Sequence, residues 1–115
     1  MTLVTIYHNP RCSKSRRTLA LLEERDLKLR IVPYLESPLS KNELSDIVKM
    51  LGVPAADIVR TSEDEYKDCG LTANSSENDI LDAILTMPKL MQRPIVVCGH
   101  QARLGRPPES VLKIL

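Results

Sequence analysis

The chain has no tryptophan, no phenylalanine and only three tyrosines, so its core must be aliphatic. A nucleic-acid surface built on aromatic stacking has almost nothing to build with. Charge of one sign is also missing. A formal net charge of +1 gives no global basic field, which argues against non-specific nucleic-acid binding and makes any anion site local. No apolar run approaches the roughly 20 residues of a membrane helix. Met1-Thr2-Leu3-Val4 enters a strand pattern without a charged leader or cleavage motif, so no membrane association is expected. Cysteine is scarce as well: Cys12, Cys69 and Cys98 form no CxxC pair and no zinc spacing with the two histidines, and no metal is expected. An odd cysteine count fits poorly with a secreted disulfide framework, which points to a reducing cytoplasm.

What is present suffices for one domain. At 115 residues, 43% hydrophobic and 27% charged, the chain can bury a core without staples. We read residues 1–115 as a single α/β domain with a helical insertion over about 40–90.

The chain is organised around Tyr7-His8-Asn9-Pro10-Arg11-Cys12-Ser13-Lys14-Ser15-Arg16. The β-branched run Leu3-Val4-Thr5-Ile6 precedes it, and Thr18 to Glu24 has helical composition after it. Cys12 therefore falls at a helix N-terminus, where backbone N–H groups without intrahelical acceptors favour a thiolate. Pro10 prevents an earlier helix start. Arg11, Lys14 and Arg16 crowd the same turn, and His8 can fold back toward the sulfur, all favouring S⁻. A buried inert cysteine is seldom flanked this way, so Cys12 is read as a reactive thiol.

Leu29-Arg30-Ile31-Val32 reads as a second strand, completing a strand-helix-strand unit expected to be right-handed and parallel. That topology puts the Cys12 loop at the carboxyl end of its strand, where open α/β sheets bind ligands. Ser40-Lys41-Asn42-Glu43 has capping-box form, Leu44, Ile47, Val48 and Leu51 follow at helical spacing, and Gly52 supplies a stop. Pro54 opens a short helix with Arg60 at its far end. By position alone Arg60 fits equally well as a cation satisfying a helix C-terminus. The segment from Thr61 to Asn78 reads as polar surface helix or loop. Ser76 with Asp79 starts a helix through Ile80, Leu81, Ile84 and Leu85 that Pro88 ends. Pro94 precedes a buried strand Ile95-Val96-Val97-Cys98, and Gly99-His100 turns it into Gln101-Ala102-Arg103-Leu104 as an antiparallel hairpin. Cys98 is expected in the core and Cys69 in an exposed stretch. Pro107-Pro108-Glu109 opens a last apolar helix, Ser110 to Leu115, expected to cover one face of the sheet.

This arrangement resembles the thioredoxin fold: a mixed sheet from a βαβ unit and a β-hairpin, with a helical insertion and a C-terminal helix. Four blocks in order, His8-Asn9-Pro10-x-Cys12-Ser13-Lys14-Ser15-Arg16, Tyr34-Leu35-Glu36-Ser37-Pro38, Arg93-Pro94-Ile95-Val96-Val97 and Arg103-Leu104-Gly105-Arg106-Pro107, resemble the glutaredoxin-linked arsenate reductase family. Lys14 looks more like a divergent housekeeping branch of it. The chain also stops at Leu115, directly after its last helix, whereas longer relatives continue.

The resemblance implies that Cys12 attacks arsenate, tuned by His8 and Ser15, while Arg60, Arg93 and Arg106 hold the oxyanion. Guanidinium forks suit tetrahedral oxygens because they stay charged and direct several donors. It further implies glutathione as reductant, glutaredoxin as partner, no bound cofactor, a monomer and a cis-proline at Pro94. Three rivals stand against this pattern. A transcription regulator of the Spx type, which binds RNA polymerase, relies on a CxxC switch, and here Ser15 takes the second cysteine's place. A general monothiol oxidoreductase acting on glutathione adducts is compatible with Cys12-Ser13-Lys14-Ser15. A phosphatase-type arsenate reductase needs arginine where Thr18 stands.

Overall fold

The structure, a computed structural model, describes residues 3–37, 39–72 and 74–115. The Met1-Thr2 lead-in and Pro38, the end of the Tyr34 block, lie outside them. The chain forms two compact units, Met1–Ser37 with Arg93–Leu115, and Pro38–Gln92.

The first unit holds the sheet. Strand β1 (Leu3–Tyr7) pairs in parallel with β2 (Lys28–Val32), from Leu3 opposite Lys28 to Tyr7 opposite Val32. On its other side it runs antiparallel to β3 (Ile95–Cys98), which forms a hairpin with β4 (Gln101–Leu104). The order β2-β1-β3-β4 is the mixed thioredoxin-like sheet expected from the sequence. Gly99 makes the hairpin turn with φ +61°, a left-handed conformation that side chains disfavour. β1 is central, and from Val4 to Tyr7 every residue is buried.

Helix α1 (Ser13–Glu23) crosses between β1 and β2. One sheet face carries the core: Val4, Ile6 and Val96 pack with Leu22 of α1 and with Val111 and Ile114 near the C-terminus. Cys98 packs at the margin of this cluster, half-buried rather than enclosed. The C-terminal segment Pro108–Ile114 is a 3₁₀ helix that begins two residues before the expected Ser110. Val111 and Ile114, three apart, are buried, and in a 3₁₀ helix residues at that spacing eclipse one another and share one face.

The second unit is the helical insertion. α2 (Lys41–Leu51) starts with the expected capping box: Ser40 Oγ accepts from the Glu43 N–H at 3.1 Å, and the Ser40 N–H donates to Glu43 at 3.3 Å. It ends at Gly52 with φ +70°. A 3₁₀ helix at Ala55–Ile58 and the short α3 (Asp64–Asp68) follow; α3 buries no residue, as its polar composition requires. Helix α4 (Glu77–Thr86) keeps half of the second box, with Ser76 Oγ accepting from the Asp79 N–H. It packs on α2, on Ala55–Ile58 and on a 3₁₀ turn at Pro88–Leu90. No helix among the described residues is long and apolar enough to cross a membrane.

Candidate active site

Cys12 is the N-cap residue of α1, extended at φ −92°, with its N–H bonded to the Asn9 carbonyl at 3.0 Å. The loop is held from within. Asn9 Oδ1 accepts from the Arg11 N–H at 3.0 Å, and the Arg16 guanidinium donates to the Pro10 carbonyl at 3.0 Å. The His8 N–H bonds the Val32 carbonyl at 2.9 Å, tying the loop to the carboxyl end of β2.

The half-buried thiol makes no regular side-chain cap, yet its surroundings favour the anion. Burial acts to raise its pKa. The Ser15 N–H, the Arg93 guanidinium and the Lys14 N–H outweigh that, so Cys12 titrates below an ordinary thiol. Arg93, from the strand hairpin's approach, is thus a principal cation at the sulfur, although Arg11, Lys14 and Arg16 are nearer in sequence.

His8 takes a different route from the one expected. Its Nδ1 meets Ser15 Oγ at 2.6 Å, and both residues are buried. The same Oγ accepts from the Asn9 N–H at 3.0 Å. Burial and then Arg16 push the His8 pKa down, so near neutrality the imidazole is uncharged. It reaches the thiol through Ser15, whose backbone N–H faces the sulfur, rather than by its own charge.

Arg93 and Arg106 are joined, since Arg106 Nε donates to the Arg93 carbonyl at 3.2 Å. Arg93 Nε itself is buried without a partner. The Arg93–Pro94 and Arg106–Pro107 peptides are both cis. Between them, Gly105 allows a close approach that no other residue would. A Cβ there would lie 2.5 Å from Thr18 Oγ1 and 2.6 Å from Pro94 Cγ. The Gly105 N–H also bonds the Pro94 carbonyl at 2.9 Å, locking the end of β4 onto the loop before β3 and onto α1.

Arg60 belongs to the second unit. Its guanidinium pairs with Glu63 at 2.8 Å, and its N–H bonds the Leu90 carbonyl at 2.6 Å. The reading of Arg60 as a helix-end cation does not hold, because Ala55–Ile58 ends before it and Arg60 follows the Val59–Met91 bridge.

Two participants carried no role in the sequence reading: Tyr34, fully buried with an unpartnered hydroxyl, and Gly105. Tyr34, one of the chain's three aromatic residues, was traceable from its place just past the carboxyl end of β2, where topology brings it to the Cys12 loop. Gly105 had no signal beyond its presence in a block.

The chain as a whole is similar to known proteins. A protein of Escherichia coli K12, YfgD, is 50% identical over 114 residues, covering 97% of this chain and 96% of its own length. The arsenate reductase of Neisseria meningitidis strain MC58 is 44% identical over the full length of both. The solved arsenate reductase of Vibrio cholerae superposes with a TM-score of 0.94 at 46% identity, covering 99% of this chain and 98% of that one. Residues 7–114, which run from the strand end before Cys12 to the last helix, match the profile of the ArsC family, and the chain belongs to that family.

Proposed function

We propose that the chain is an arsenate reductase that uses glutathione and glutaredoxin as reductants. The observation that carries this reading is the pairing of a thiolate-favouring Cys12 with Arg93, whose buried Nε lacks a partner. An unpaired buried guanidinium N–H is costly, and an oxyanion beside the sulfur would satisfy it. The arsenate reductase names of the Neisseria meningitidis relative and of the Vibrio cholerae structure support the arsenate-reducing part of this reading.

In the reaction, the Cys12 thiolate attacks arsenic, a protonated oxygen leaves as water, and a Cys12–arsenic bond replaces the As–O bond. Glutathione then supplies the second thiol. Arsenic falls from the +5 to the +3 state as two thiols become a Cys12–glutathione disulfide, so two electrons pass and arsenite departs. Glutaredoxin reduces that disulfide and regenerates Cys12. Arg93 and Arg106 hold the oxyanion, while a part for Arg60 rests on the family resemblance alone. Because Arg60 already has Glu63 as counter-ion, its part is the most demanding test of the set.

The deciding experiment is arsenite production from arsenate with glutathione and glutaredoxin, run beside Cys12→Ser. The wild-type protein should turn over and the variant should not. If the wild type makes no arsenite yet removes glutathione from protein adducts, it is a general monothiol oxidoreductase.

A further inference from the structure

Tyr34 follows β2 in the turn at the carboxyl end of the parallel pair, the end from which the Cys12 loop leaves β1. Its side chain is 0% exposed; the Asn9 side chain approaches its oxygen as a donor, but no acceptor lies within hydrogen-bond distance of its hydroxyl hydrogen. Buried tyrosine hydroxyls are normally paired, and a bare one works against stability. The only other bare buried side-chain atom among the described residues of this unit is Arg93 Nε, also a donor; the bare acceptors, Glu65 Oε2 and Gln92 Oε1, lie in the second unit. Two unsatisfied donors beside one nucleophile fit a ligand that presents acceptors.

We propose that Tyr34 is a substrate-contacting residue, donating its phenolic hydrogen to an oxygen of the oxyanion held at Cys12 and Arg93. This rests on the oxyanion reading above and adds a selection rule: a deprotonated tetrahedral anion is preferred to a neutral or donor-rich ligand. Burial pushes the Tyr34 pKa up to about 12, and the nearby Cys12 acts in the same direction against Arg93, Asn9 and Arg106. The phenol therefore keeps its proton at working pH. A neutral donor can sit near a thiolate without charge repulsion, and it strengthens as negative charge gathers on the oxygens of the adduct.

The test uses Tyr34→Phe in a Cys69→Ser, Cys98→Ser background, with three readouts: Tm without anion, protection of Cys12 from iodoacetamide by arsenate, and kcat and KM for arsenate. The melting temperature should stay level or rise, because a bare hydroxyl is removed. The arsenate concentration giving half-protection should rise roughly tenfold to a hundredfold, the range of a hydrogen bond to a charged group, and kcat/KM should fall with it. Equal protection in both proteins overturns the role of Tyr34 and leaves the oxyanion site standing. No protection even with Tyr34 present overturns both. A Tm lowered by several degrees, or failure to fold, assigns the hydroxyl a structural partner and also overturns it.

Discussion

His8 Nδ1 and Ser15 Oγ lie 2.6 Å apart, and the backbone N–H of that same Ser15 faces the Cys12 sulfur. One residue thus joins a buried neutral imidazole to the nucleophile. Removing either side chain should loosen the donor rather than delete a charge. Ser15→Ala and His8→Ala are each expected to raise the Cys12 pKa by at most about one unit, since a neutral hydrogen bond contributes ~0.5–1.5 kcal/mol and one unit is ~1.4 kcal/mol. A pH series of iodoacetamide alkylation, with Cys69 and Cys98 changed to Ser, measures it. An unchanged titration in both variants would break the proposed relay.

Cys12 should make stability depend on pH. Its folded pKa is lowered, so between that value and the ~8.5 of a free thiol the unfolded chain holds more protons. Stability from this group is complete above the free value and is lost as pH falls through the folded one. Urea unfolding across that window should show wild type gaining on Cys12→Ser as pH rises. The neutral His8 follows the same sign at lower pH, with stability lost below the ordinary histidine range.

Arg93→Lys keeps a positive charge but loses the planar fork. Arsenate kcat/KM should drop by roughly tenfold to a hundredfold, the scale of one hydrogen bond to a charged group, and the Cys12 pKa should rise. Arg103→Lys, at an exposed position of β4, is the matched control and should change neither. Equal losses in the two variants would remove Arg93 from the site.

Gly105→Ala drives a methyl group into Thr18 Oγ1 and the Pro94 ring. Neither yields easily: Thr18 is buried and bonds the Lys14 carbonyl at 2.8 Å, and the proline ring is rigid. Overpacking of this kind costs about 1–3 kcal/mol, which thermal unfolding will read. Alkylation should register it too, because the strain falls on α1 and on the Arg93–Pro94 segment.

Cys69→Ser and Cys98→Ser should leave adduct formation at Cys12 intact. Cys98→Ser alone should cost some stability, because Cys98 packs on the core formed by Val4 and Val96. Loss of adduct in the Cys69 variant would point to a long-range resolving disulfide instead of glutathione.

The sequence by itself determined whatever depends on neighbours along the chain. Pro10 and the helical run after it set Cys12 at the start of α1, Ser40 and Glu43 capped α2, and β-branched runs with Gly99 made the sheet and its hairpin. Those features follow from dihedral preference, capping and periodicity, which act over a few residues. Tertiary structure decided which groups meet the sulfur. Arg93 arrives from a distant segment, His8 turns to Ser15, Tyr34 is buried with a bare hydroxyl, and Gly105 admits Pro94 and Thr18. Local charge counting favoured Arg11, Lys14 and Arg16, but Arg11 and Lys14 are exposed and the Arg16 guanidinium is engaged by the Pro10 carbonyl, while Arg93 is held half-buried beside the thiol.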